Sequence, residues 1–391
     1  MDVKVILLTG NLGESKCEGF GEVPFTLLDA LGRPVLHHVM ERLRKAGLES
    51  SDISVLSNLL PASAAFSRRV VERLGLAWTN YSGASLVRAA EGKFAEYAHA
   101  GAEVILVIQA GAYAEIDYEG LIQFHLESQN RVTCVGDEDG LVGTFAISAS
   151  RRNDAAYLFR HNLQSCRTTS VPYFTRGYVN RLRNAADFRQ LIVDAFAEEN
   201  SIRPLGRQLR PGVWVGAGTR IERGARIVAP AFIGTGAKIC KSAVVTRGSN
   251  IERYAFVDCG TVVENATVLP SSYVGAGLDV SHAVVGFRRI AHLDRKIEIE
   301  VHDRRLLAPA PKAAAWRIAG LTAAAIDFLR RGWTPERTPI PETAAELPPQ
   351  IAIDPDPAAL SASNELQHVA MNGQPIQYPN NVAVMRRYGN Q

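Results

Sequence analysis

The chain has 391 residues, 47% of them hydrophobic, with a formal net charge of +3 and a pI near 8.6. That length accommodates two domains and a tail, and the charge is too mild to indicate a nucleic-acid-binding protein. No stretch reaches 18 consecutive apolar residues, and the nearest, Ala313 to Leu329, carries Arg317 and Asp327, which speaks against a membrane-spanning helix.

In chain order, Met1-Asp2 leads directly into a strand at residues 3–8 (Val-Lys-Val-Ile-Leu-Leu), so no signal peptide is expected. A glycine-containing loop follows, Thr9-Gly10-Asn11-Leu12-Gly13. Pro34 opens a helix with Val35, Leu36, Val39, Met40 and Leu43 on one face, and Gly47 stands where a terminating glycine belongs. Ile53 to Leu56 reads as a strand, Phe66 to Leu74 and Ala84 to Ala98 as helices, and Glu103 to Ile108 as a buried strand. Asp117 is a candidate N-cap for a helix reaching Ser128. Arg131 to Ser148 reads as a strand pair around Asp137-Glu138-Asp139-Gly140, and Ala185 to Ala197 as a helix. This alternation predicts an α/β, Rossmann-like domain with a mainly parallel sheet over residues 1–200. Ligands of such sheets bind at the carboxyl ends of strands, here the loops after Leu8 and after Ile108.

From Leu209 the pattern changes. Stepping by six gives Val215, Ile221, Ile227, Ile233, Ile239, Val245, Ile251, Val257, Val263 and Leu269, with no polar residue among them. Four after each aliphatic comes a small residue: Thr219, Ala225, Ala231, Ala237, Ala243, Ser249, Ala255, Thr261 and Thr267. A period of six fits neither a helix nor a meander strand; it is the hexapeptide signature of a parallel β-helix, predicted over residues 205–285. Each aliphatic residue should point into a prism and each small residue should fit a corner. The next step lands on Gly275, so the register is expected to slip after Leu269 and to resume at Val274 and Val280. Tyr273 breaks the small-residue rule, and the last coil should be irregular there.

Beyond the hexads, Ile297 to Val301 alternates as an exposed strand, and a helix is expected from Lys312 to Arg331, together making a cap over 286–332. From Trp333 nine prolines fall in the last 59 residues, which predicts a disordered tail over 333–391. The basic pairs Arg288-Arg289 and Arg304-Arg305 read as solvated surface. The cysteines (Cys17, Cys134, Cys166, Cys240, Cys259) are odd in number and form no CxxC, which suggests reduced thiols and a cytoplasmic protein.

In order and spacing, residues 1–285 resemble the sugar-phosphate nucleotidyltransferases (NDP-sugar pyrophosphorylases) that carry a left-handed β-helix. Gly10-Asn11-Leu12-Gly13 stands where that family has GGxGTRL, and Pro24-Phe25-Thr26-Leu27-Leu28-Asp29-Ala30-Leu31-Gly32-Arg33-Pro34 is in register with its PKPLLPV-x-G-K-P. Ile108-Gln109-Ala110-Gly111 with Asp117 resembles the strand ending in NGD and its capping Asp. Val179 to Phe188 resembles W-x-D-I-G-T-P-E-D-Y.

The resemblance implies attack of a sugar 1-phosphate on the α-phosphate of an NTP, with Mg²⁺ and cationic side chains neutralising charge. The groups that would do this are replaced: Ser15 stands for the loop arginine (with Lys16 beside it as a substitute), Phe25 for the PKP lysine, Gly111 for the NGD aspartate and Arg181 for the second metal aspartate. An arginine at a magnesium position repels the ion, and the E-K-P sugar-contacting element is missing. No catalytic residue, no metal site and no cofactor are therefore expected. Thr9, Gly10, Asn11, Gly13, Ser15, Phe25, Gly111 and Arg181 mark a vestigial nucleotide or sugar cleft.

The expectation is a catalytically degenerate member of nucleotide-sugar or polysaccharide metabolism that binds or regulates. It would form a homo-oligomer, or a hetero-oligomer with an active paralogue, through the β-helix. The alternatives are an active pyrophosphorylase using Mg²⁺ with displaced residues, or a hexapeptide acyltransferase. The latter generally uses a histidine at the solenoid surface, yet 209–281 contains none and His282 comes only at its end. His37 and His38 read as helix surface or packing.

Overall fold

The computed structural model describes residues 2–10, 19–81, 85–149 and 172–310, all within one compact unit. The expected helix at Lys312–Arg331, the tail from 333, and loop residues Asn11, Leu12, Gly13, Ser15 and Lys16 lie outside the described residues.

The main elements of the first part are β1 (Val3–Thr9), α1 (Val35–Lys45), β2 (Ile53–Ser57), α2 (Pro61–Arg73), β3 (Ala77–Asn80), α3 (Leu86–Ala100), β4 (Val104–Gln109), α4 (Tyr118–Glu127), β5 (Val132–Asp137), β6 (Gly140–Ser148), β7 (Tyr173–Phe174) and α5 (Ala185–Phe196). The seven strands form one sheet in the order β7-β5-β6-β4-β1-β2-β3. The pairs β4–β1, β1–β2 and β2–β3 are parallel, while β6 runs antiparallel to both β4 and β5. β7 pairs parallel with β5, so four of the six pairings are parallel and the sheet is mixed but mainly parallel, with β6 as its antiparallel strand.

Its centre reads as continuous apolar runs because both faces are covered. Along β1, Val5 and Leu7 enter the core shared with α1, whereas Ile6 and Leu8 face α3 on the other side. α3 ends at Gly101, whose φ of 106° is the left-handed stop that glycine permits. α2 begins five residues before the expected Phe66, with Pro61 in its first turn, where the missing N–H has no partner to lose.

Residues 213–285 wind as a three-sided coil. Val215, Ile233, Ile251, Val268 and Val285 stack in one parallel sheet; Ile221, Ile239, Val257 and Val274 in the second; Ile227, Val245, Val263 and Val280 in the third. Together with Ala231, Ala237, Ala243 and Ala255 these fill a separate core. Corner residues adopt positive φ at Gly212, Gly218, Gly224, Gly236, Ser242, Gly248, Tyr254 and Gly260, six apart apart from one corner taken by Pro230.

The register slip differs from the expected one. After Gly260 the next left-handed corner is Asn265, five residues on, and later His282 follows Gly277 by five. The inward step is therefore Val263 to Val268, one coil edge earlier than read from the hexads. Ala266 and Ser272 then occupy the small inward positions, Thr267 and Tyr273 point outward, and Tyr273 stacks on Phe256 at 5.3 Å. Leu269 leaves the prism and joins the α/β core. Leu209, read as the first inward residue, is 53% exposed, because residues 207–210 form an antiparallel edge strand before the coil begins.

The outward row of the first sheet is covered by the α/β part. Phe232, Val284 and Leu269 belong to its core, and Trp214 packs against it. The chain then adds two antiparallel strands, Arg289–His292 and Ile297–Glu300, to the edge of that sheet, which accounts for the alternation read at 297–301. Leu307–Pro309 returns to pair with Ser272–Val274.

Candidate functional site

The residues after β1 and β4 meet, as expected for the carboxyl ends of parallel strands. The Ala110 amide donates to the Leu8 carbonyl at 2.9 Å, and the Thr26 hydroxyl donates to the Ala110 carbonyl at 2.9 Å. Thr9 is fully buried, its hydroxyl directed to the Leu56 carbonyl at 3.4 Å. Gly10 has φ of 145°, and a Cβ there would lie 2.2 Å from Asn58 Oδ1, so only glycine lets the β1 loop pass the loop after β2. Gly111 has open space around the position of a Cβ.

The two remaining marked residues turn away from chemistry. Phe25 is 2% exposed and stacks on Phe188 at 5.5 Å, so it is a core residue between the first domain segment and α5. Arg181 is ion-paired with Asp137 and donates to the carbonyls of Leu141 (2.9 Å) and Gly140 (3.3 Å), clamping the β5–β6 turn. The structure thus brings Thr9, Gly10 and Gly111 to one end of the sheet, puts Phe25 in the core and puts Arg181 on the hairpin.

Nearby carboxylates are already engaged. Asp117 caps α4 by accepting from the Gly120 amide at 3.0 Å. Glu115 pairs with Arg42 at 2.8 Å and accepts the Ser201 amide; although burial opposes its charge, these bonds hold its carboxyl below the usual range. Magnesium needs free oxygen ligands in near-octahedral array, and a bare Gly111 with an arginine-neutralised Asp137 does not fit it. His38 is buried on α1, where desolvation pushes it down to about 4, which agrees with a packing role. His37 and His38 both neighbour Glu41.

The strongest polar constellation lies at the junction with the coil, and composition and spacing did not reveal it. Arg189 of α5 is 2% exposed and donates to Asn250 Oδ1 (3.0 Å), the Gly248 carbonyl (2.5 Å), Asn265 Oδ1 (3.3 Å) and Thr267 Oγ1 (3.4 Å). Glu252 is fully buried and accepts the amides of Leu31 (2.9 Å) and Gly32 (3.0 Å) and the Asn250 side chain (2.7 Å). Asp29, also fully buried, lies 2.9 Å from Arg253. A groove beside it is lined by Phe66, Arg69, Arg73, Arg253, Tyr254 and Phe287.

Burial pushes the Glu252 carboxyl up to about 8, with the Asp29 charge adding to it, and burial raises Asp29 to about 6 against the pull of Arg253. A carboxyl held above its ordinary value contributes stability that is complete below the unfolded value, 4.5 for Glu252, and is lost as pH rises through 8. Unfolding free energy measured in urea at pH 5, 6, 7 and 8 should therefore fall for the wild type relative to Glu252→Gln, by on the order of 3 kcal/mol in total. Parallel curves for the two proteins would show that Glu252 is charged in the fold.

A further cluster, Cys240, Asp258 and Cys259, lies on the second sheet of the coil, with ligand atoms within 4.8 Å of one another. Cys240 and Cys259 are free thiols, whereas Cys134, buried on β5, is disulfide-bonded. This corrects the expectation of reduced thiols throughout: an odd count without CxxC does not show which thiols pair. No helix among the described residues is long and apolar enough to cross a membrane. Compared with protein-family models and with curated proteins, the chain matches none.

Proposed function

We propose that the protein is a nucleotidyltransferase-like α/β domain joined to a left-handed β-helix, and that it binds a nucleotide or nucleotide sugar without turning it over. The observation that carries this reading is Arg181. At the carboxyl end of the sheet its guanidinium is bonded to Asp137 and to two turn carbonyls, and in sequence register it stands where the resembling enzymes have a metal carboxylate. Phe25 packed on Phe188, and Gly111 without a side chain, support the same conclusion. Loss of one charge-stabilising donor costs roughly 10²–10³ in rate, and here the metal carboxylates and the PKP cation are replaced together.

Purified protein given NTPs, hexose 1-phosphates and Mg²⁺ should release no pyrophosphate, while calorimetry with the same nucleotides should detect binding. Turnover near ~1 s⁻¹, the low end of ordinary enzymes, would sink the reading.

The partner of such a protein is proposed to be a second copy or an active paralogue. With the first sheet of the coil covered, the outward rows of the other two remain: Arg220, Lys238 and Tyr273, which stacks over the buried Phe256, and Arg226, Val244, Val262 and Asp279. Symmetric oligomers are the common way to cover such faces. Light scattering should give a mass above one chain, and Val244→Glu with Val262→Glu should lower it. A monomeric wild type removes the homo-oligomer.

A further inference from the structure

The second sheet of the coil stacks one position in every turn into a column. Glu222, Cys240 and Asp258 each follow the inward residues Ile221, Ile239 and Val257, which pair in register. Equivalent positions of adjacent parallel strands are about 4.8 Å apart, so three acidic or potentially acidic groups are superposed. Cys259 adds a fourth, next to Asp258.

The carboxylates at the ends of this column are engaged, and the Cys240 thiol in its middle bonds to Glu222 and Lys238. Glu222 pairs with Lys238 at 3.0 Å and accepts the Lys241 amide at 3.1 Å. Asp258 accepts the Tyr273 hydroxyl at 2.8 Å and the Cys259 amide at 2.7 Å, which orients the carboxylate. Cys240, buried between them, and Cys259, half-buried beside Asp258, are both free of disulfides.

We propose that Cys240, Cys259 and Asp258 form a binding site for a thiophilic divalent cation of the zinc type, with water completing a tetrahedron. Thiolate sulfur selects such ions over magnesium or calcium. Ligand atoms within 4.8 Å need to close only modestly, since two thiolates on one zinc lie about 3.8 Å apart at Zn–S bonds of ~2.3 Å. Asp258 arrives already oriented by Tyr273, the kind of outer bond that fixes a ligating carboxylate.

Thiol ligands bind such an ion as thiolates, so each thiol releases its proton when the ion arrives and binding strengthens as pH rises. The ion would link two neighbouring turns of the coil from outside, a structural role separate from the cleft.

The test is titration of the reduced full-length protein with Co²⁺, then Zn²⁺ displacement. The expected result is a sulfur-to-cobalt charge-transfer band for one equivalent, bleached by zinc, with a melting temperature raised by several degrees. Tighter binding is expected at pH 8 than at pH 7. Cys259→Ser, at a half-buried position outside the prism, should abolish the band, and Asp258→Asn should weaken binding at least tenfold while keeping a sulfur band. A missing wild-type band overturns the site, as does a band that survives in both Cys259→Ser and Cys240→Ser, since it then arises at other cysteines. Loss of both thiols on air oxidation, with no metal uptake before it, would assign the pair to a disulfide instead.

Discussion

Ile233→Asp is expected to leave the protein insoluble, or melting far below the wild type. Ile233 is fully buried and paired in register with Val215 below and Ile251 above, within the apolar core of the coil. A carboxylate buried in that apolar core loses its hydration, and the cost is several kcal/mol, comparable with the whole stability of many domains. Ile233→Val removes one methylene and should cost only about 0.5–1.5 kcal/mol. Arg226→Asp, on an exposed outward position of the coil, should be near neutral. Melting curves of the three variants decide the matter: if Ile233→Asp melts like Arg226→Asp, the inward register is wrong.

The second large effect is expected from Arg189→Ala. The guanidinium is enclosed by neutral oxygens of the coil, and burial lowers it to about 9, so it is still charged at neutral pH. Truncation leaves Asn250, Asn265, Thr267 and the Gly248 carbonyl facing a void at the junction. Leaving buried neutral acceptors unpaired costs about 1–3 kcal/mol for each group. Arg189→Lys should recover only part of this, because a point charge on a flexible stem cannot reproduce the planar fork. Urea denaturation is the measurement. A loss below ~1 kcal/mol would mean that apolar contacts such as Phe232, Leu269 and Val284 hold the junction without Arg189.

What the sequence determined by itself was whatever repeats or alternates over short range. The six-residue period placed every inward residue from Val215 to Val263, and the apolar runs at 3–8 and 103–108 placed the central strands, because side-chain direction in a strand depends only on its neighbours along the chain. The slip at Asn265 left a weak trace, the five-residue gap after the corner at Gly260, which the aliphatic spacing alone concealed because Val268 and Leu269 are both apolar.

What only the tertiary structure decided was which side chain meets which across the chain. Nothing local says that Glu252 accepts from Leu31, 221 positions away, or that Arg189 is enclosed by Asn250 and Asn265. The same holds for the candidate site. The substitutions at Phe25, Gly111 and Arg181 were legible, but that Phe25 joins the core and Arg181 clamps the Asp137 turn follows from distant packing. The cysteines divide for the same reason: Cys134 is bonded, while Cys240 and Cys259 are brought together only by the stacking of successive coils. Burial and partnership are properties of the neighbours that folding supplies, and those neighbours lie far beyond the span over which a sequence pattern repeats.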